Sequence, residues 1–138
     1  NMNFWYFYPN IQPYICTQNK TTPHNMEQLN ELESTLLNGL IQKYPTLKSH
    51  IPYLKVKERK ITATGMEVNF EYLNSEEELN FVAINALFSG EEYIEIKSLK
   101  QGLGYVIDIT DGKISYIEFT TYGEKWNGKL DDYKIIKE

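Results

Sequence analysis

Apolar and polar positions follow two rhythms along this chain. Between Met26 and Tyr44, the residues Leu29, Leu32, Leu36, Leu37, Leu40, Ile41 and Tyr44 recur at spacings of three and four. That spacing draws one apolar stripe down a helix. Asn25 is placed to cap the helix, with Gln28 at the capping-box position three residues on. Glu27, Glu31 and Glu33 suit the positive end of its dipole, and Pro45 stops it. A stripe this wide needs a sheet to cover it.

The second rhythm has period two. Leu54 to Ala63 reads as a strand, Gly65 as a turn, and Met66 to Tyr72 as a strict alternation with one apolar and one polar face. Residues 92–98 form a further strand. Tyr105–Ile109 and Ile114–Phe119 flank Asp111-Gly112, and an Asp-Gly pair between apolar runs marks a tight hairpin, because that turn needs positive φ at both central residues. Tyr133 to Ile136 adds a last short strand. Between these stretches, Ser75 and Glu78 offer another capping box. Leu79 to Phe88 then reads as a short, mostly buried helix, with a buried strand as the alternative. The predicted fold class is α+β: an N-terminal amphipathic helix packed on a mainly antiparallel sheet of about five strands, with that second short helix optional.

A chain of 138 residues is the size of one domain, and no repeat or linker divides it, so the expectation is a single domain over residues 1–138. Asn1 ahead of Met2 reads as a remnant of expression. The polar segment 9–25, punctuated by Pro9, Pro13 and Pro23, reads as an ordered loop. The aromatic run Phe4 to Tyr8 is too short for a signal-peptide core, and no stretch reaches the roughly 18 apolar residues that span a bilayer. A soluble, cytoplasmic protein is expected. Cys16 is the single cysteine; it cannot form an internal disulfide and reads as a small apolar residue.

Charge is unevenly distributed. Residues 43–60 carry six basic side chains against Glu58, whereas residues 61–96 carry eight glutamates and no lysine or arginine. The basic segment suits a solvated loop and an edge strand, where lysines discourage edge-to-edge pairing. A net charge of −5 argues against a nucleic-acid partner, since that affinity rests on phosphate neutralisation.

Motifs for chemistry are sparse. Gly102 and Gly104 give G-x-G without the third glycine and precede a strand where a nucleotide fingerprint opens a helix, so they read as a turn. His24, His50 and Cys16 do not make a conventional zinc set, and both histidines read as loop residues. No cofactor and no metal are expected; Asp111 is explained by its turn. Carboxylate pairs are candidates for acid–base work: Glu67 with Glu71 on one strand face, or Glu92 with Glu118 from neighbouring strands. Acidic residues on a solvated sheet face are the plainer account of both.

Aromatic content changes the picture. Eleven Tyr, six Phe and two Trp make 14% of the chain, and Tyr and Trp are over-represented at interface hot spots. In the C-terminal third they mingle with carboxylates: Glu91, Glu92 and Tyr93; Glu118, Tyr122, Glu124 and Trp126; Asp131 and Asp132. Gathered on one surface, these nine residues would suit a basic partner.

The stretch from Phe88 to Lys134 resembles a C-terminal pattern of small bacterial immunity proteins, which neutralise the toxin encoded beside them by binding it. The matching residues are Gly102, Gly104, Asp111, Gly112, Ile117, Glu118, Tyr122, Gly123, Glu124 and Trp126, in about a third of the chain. The resemblance implies a cytoplasmic, non-enzymatic inhibitor whose partner is a cognate toxin domain, expected to be basic. Two readings from other classes stand beside it. One is a small-ligand or peptide-binding domain with an aromatic-lined pocket between helix and sheet. The other is a carboxylate-based enzyme, marked by two carboxylates in such a pocket.

Overall fold

A computed structural model describes residues 27–73 and 79–137. The readings made on Cys16, His24, Asn25, Met26, the Phe4–Tyr8 run and the Ser75/Glu78 capping box lie outside these residues.

Helix α1 spans Glu31–Lys43, a shorter element than the periodicity predicts. Its N-cap is Asn30, whose side-chain oxygen accepts the Glu33 N–H at 2.8 Å. The Glu33 carboxylate returns the bond by accepting the Asn30 N–H at 2.9 Å. This reciprocal box satisfies two otherwise orphaned donors. Upstream of it, Glu27 forms an antiparallel bridge with Val56, each N–H reaching the other's carbonyl at 2.8 Å. Backbone committed to a strand partner cannot join the helix, so the start moves to Asn30. After α1, Pro45–Tyr53 forms a 3₁₀ segment.

Seven strands follow among the described residues: β1 (Leu54–Thr62), β2 (Gly65–Tyr72), β3 (Ala86–Phe88), β4 (Glu92–Ile96), β5 (Leu99–Thr110), β6 (Lys113–Thr120) and β7 (Lys134–Lys137). They make one sheet in the order β1-β2-β6-β5-β4-β7, with β3 also on β5, and each of these pairings is antiparallel. The α+β class follows from this arrangement. Asp111 and Gly112 both take positive φ, 50° and 79°, as the β5–β6 hairpin turn requires.

Two expectations are corrected here. Residues 80–85 have no regular structure and 86–88 are strand β3, so Leu79 to Phe88 is not a helix. Nor is it mostly buried: Val82 and Leu87 are exposed. The backbone there is tied to the hairpin turn instead, through Gly112 N–H to the Ile84 carbonyl and Asp111 N–H to the Asn85 side chain. Gly102 and Gly104 lie inside strand β5, not in a turn before it.

One face of the sheet carries Leu54, Val56, Met66, Val68, Ile94, Leu103, Tyr105, Ile107, Ile117 and Phe119, in one core cluster with Leu32, Leu36, Leu37, Leu40 and Leu47. Arg59 also belongs to this inward set, because its register partner is Val68 and cross-strand partners share a face. Its guanidinium forms a two-pronged bond with the buried Glu33, Nε to Oε2 at 2.8 Å and Nη2 to Oε1 at 2.9 Å. His50, read from sequence as a loop residue, sits in the 3₁₀ segment and is fully buried. Its Nδ1 is 2.9 Å from the Tyr72 hydroxyl and its Nε2 is 3.1 Å from the Asn80 carbonyl. That hydroxyl also accepts the Ile114 N–H at 2.9 Å. The ring thereby joins the 3₁₀ segment, the end of β2, the start of β6 and the 80–85 connection.

Candidate partner-binding face

Registers decide which polar side chains meet. On the sheet face opposite the core, one cross-strand row runs Lys60 (β1), Glu67 (β2), Glu118 (β6), Val106 (β5). The next row runs Glu58, Asn69, Tyr116, Asp108 and, on β3, Leu87. Four carboxylates and a single lysine occupy these two rows. They flank Tyr116 and Val106, and Leu87 stands 67% exposed at one end. Glu67 accepts a hydrogen bond from the Asn69 amide at 3.1 Å. The Tyr116 hydroxyl is held above its ordinary pKa, first by burial and then by the charges of Asp108, Glu118 and Glu67. Three carboxylates therefore converge on one phenol.

Of the nine residues singled out in sequence as a partner surface, Glu118 lies in this array, beside Glu67, which was read there as one of a carboxylate pair with Glu71. Glu91, Glu92, Tyr93 and Tyr122 line a separate concavity together with Gly90, Gly104 and Tyr105. Glu92 is not paired with Glu118: β5 lies between their strands. Its Oε1 instead accepts the hydroxyl proton of the core residue Tyr105 at 2.8 Å. The Tyr105 hydroxyl also accepts the Gly90 N–H at 3.0 Å, and burial, then the Glu92 bond, pushes its pKa well above the usual phenol range.

The remaining four residues brace loops. The Glu124 carboxylate accepts the N–H groups of Lys100 and Gln101, each at 2.8 Å. These two bonds hold its pKa below the usual carboxylate value. Trp126 packs edge-on to the core residue Phe119, with ring centroids 6.5 Å apart, and donates its indole N–H to the Lys129 carbonyl at 2.9 Å. The Asp131 carbonyl accepts the Lys97 N–H, and Asp132 lies 4.0 Å from the Lys97 ammonium.

Tyr116 and Asp108 are the face residues that sequence reasoning missed as partners of Glu118. Their outward positions were legible from the alternation of each strand. The β2–β6 and β6–β5 registers that line them up were not.

No family model, curated protein or solved structure matches this chain. Among the described residues, no group of His, Cys, Asp and Glu is arranged to hold a metal ion, and no helix is long and apolar enough to cross a membrane.

Proposed function

We propose that the protein is a non-enzymatic binding protein that neutralises a basic protein partner, in the manner of a cytoplasmic immunity protein occluding its cognate secreted toxin. The docking surface is the outer face of β1, β2, β6 and β5. One observation carries this reading: Glu67 and Glu118 stand directly opposite each other on adjacent strands, with Asp108 close enough to act on the same tyrosine.

Like charges directly opposed across strands cost stability, by about 0.2–1 kcal/mol for such pairs. Lys60, opposite Glu67 on its other side, softens the repulsion without touching Glu118. A cationic partner surface turns the same repulsion into attraction, and an acidic field speeds its encounter with the face. Tyr116, Val106 and Leu87 supply apolar contact among the charges.

The test is co-expression with the product of the adjacent gene, followed by purification, affinity measurement and urea unfolding. A 1:1 complex is expected, weakening as salt rises. Glu118→Gln is expected to stabilise the free protein by about 0.2–1 kcal/mol while loosening the complex. A complex indifferent to Glu118→Lys with Glu67→Lys would place the docking surface elsewhere, and the absence of any complex or protection would remove the reading.

A further inference from the structure

Strand β5 is longer than either strand on its β4 side. β3 pairs with it at Ile107–Ile109 and β4 pairs with it through Leu103. Between the two, the chain at Ser89–Glu91 leaves the sheet, and a notch of about 470 Å³ opens there. Gly104 forms its floor. A Cβ at Gly104 would lie 2.7 Å from the Tyr122 hydroxyl, so the absence of a side chain is what lets Tyr122 lean over the strand. Tyr93 stands on the other side, its ring edge 3.6 Å from where a Cβ on Gly102 would be. Glu91 and Glu92 line the notch, and among the described residues no basic one does. Neither carboxylate is in an ion pair with a cation of the described residues.

A lining of aromatic rings and carboxylates, with no cation among the described residues, is complementary to a cation carried on an apolar stem. The rings attract it through their π faces and the carboxylates through charge and hydrogen bonds. Gly104 belongs to the same outer row as Thr120 and Gly65, next along the strands from the Glu67–Glu118 row. The notch therefore opens at the margin of the acidic face. Glu92 is held from behind by Tyr105, and Tyr105 by the Gly90 N–H, so this carboxylate is positioned before anything binds.

We infer that this notch is a socket for a single lysine or arginine side chain of the protein's basic partner. The inference rests on the docking function proposed above and names the chemistry of its anchor: the side-chain stem lies between Tyr93 and Tyr122, and its charged head meets Glu91 and Glu92.

The socket is testable without the partner. The isotope-labelled full chain is titrated with N-acetyl-arginine amide, with n-butylammonium and with the uncharged N-acetyl-citrulline amide, following the Gly90 and Gly104 amide signals by NMR. Saturable shifts with a Kd of about 1 mM are expected for at least one of the two cations, with citrulline about tenfold weaker. Which cation binds more tightly tells guanidinium from ammonium recognition. Tyr122→Ala and Glu91→Gln, both at exposed positions, are each expected to weaken binding by roughly 2- to 30-fold with the rest of the spectrum unchanged. Equal response to citrulline, indifference to both variants, or shifts confined to Glu67, Glu118 and Asp108 would overturn the socket and leave the docking face standing. Arginine binding at Gly104 in a protein that forms no complex would sink the proposed function alone.

Discussion

Replacing Arg59 with methionine isolates what the inward-facing ion pair contributes. The substitution keeps most of the apolar stem and removes every guanidinium donor. Glu33, 0% exposed, then keeps, among the described residues, only the Asn30 N–H on Oε1, and its Oε2 loses its only partner among them. Stranding one member of a buried pair costs about 3–5 kcal/mol. The Arg59 side chain is 23% exposed, so water can partly replace it, which favours the lower end, about 3 kcal/mol. The outer bonds, from Nη1 to Glu27 at 3.1 Å and from Nη2 to the Gln28 carbonyl at 3.3 Å, are exposed and add little. For a domain of this size about 3 kcal/mol corresponds to a Tm lower by roughly 10 °C. Urea unfolding and calorimetry would read it, beside the double variant Glu33→Met with Arg59→Met. Removing both charges should restore most of the stability, less about 1 kcal/mol for the lost half of the capping box. If Arg59→Met costs under about 1 kcal/mol, or if the two substitutions simply add, the pair is not the coupled buried unit argued here.

Two more outcomes follow from other bonds. Glu124 has its pKa lowered by the Lys100 and Gln101 N–H groups, so its contribution is present above the unfolded-state pKa and is lost as pH falls through the folded-state value. Glu124→Gln should therefore lower Tm at about pH 7, and the gap to the unsubstituted protein should close towards about pH 3; a gap independent of pH would refute the charge-assisted clamp. His50→Leu removes both ring hydrogen bonds of a fully buried side chain, to the Tyr72 hydroxyl and to the Asn80 carbonyl, and should cost about 1–3 kcal/mol in urea unfolding, whereas Lys48→Ala, a neighbouring exposed position, should cost less than about 0.5 kcal/mol.

Much of the sheet was legible because it is written in local signals. The strict alternation from Met66 to Tyr72 is strand β2, and Asp111-Gly112 is the β5–β6 turn with both φ values positive. Where two local signals competed, sequence could not choose between them. Asn25 with Gln28 was the capping box read from sequence, whereas the structure builds it from Asn30 with Glu33, because Val56 captures Glu27 from 29 positions away. The apolar run at Leu79–Phe88 fits helix or strand by composition, but only 86–88 pair as a strand, and Ile84 and Asn85 are bonded to the turn at Asp111 and Gly112 instead. Site residues suffered most from unknown registers. Glu118 was singled out, but its neighbours Glu67 and Asp108 come from strands on either side of it, so the array exists only after pairing. Conversely, Glu124 and Trp126 look like surface recognition residues in sequence because nothing local reveals that β5 amides and Phe119 occupy them.

The β2–β6 junction also determines when the acidic array comes into being. β1–β2 and β5–β6 are local hairpins, each closed by a short turn, whereas Glu67 meets Glu118 across 51 positions of chain. Local hairpins form readily, and the distant pairing waits on a costly loop closure. The acidic array is therefore assembled in the same step that joins the two halves of the sheet, and a half-folded chain presents no such array. On the function proposed above, a partner seated across that seam would clasp it shut, adding its binding energy to a pairing that is distant in sequence. Hydrogen exchange at Val68 and Ile117 would record this as slowed opening, so recognition and final assembly share one molecular joint.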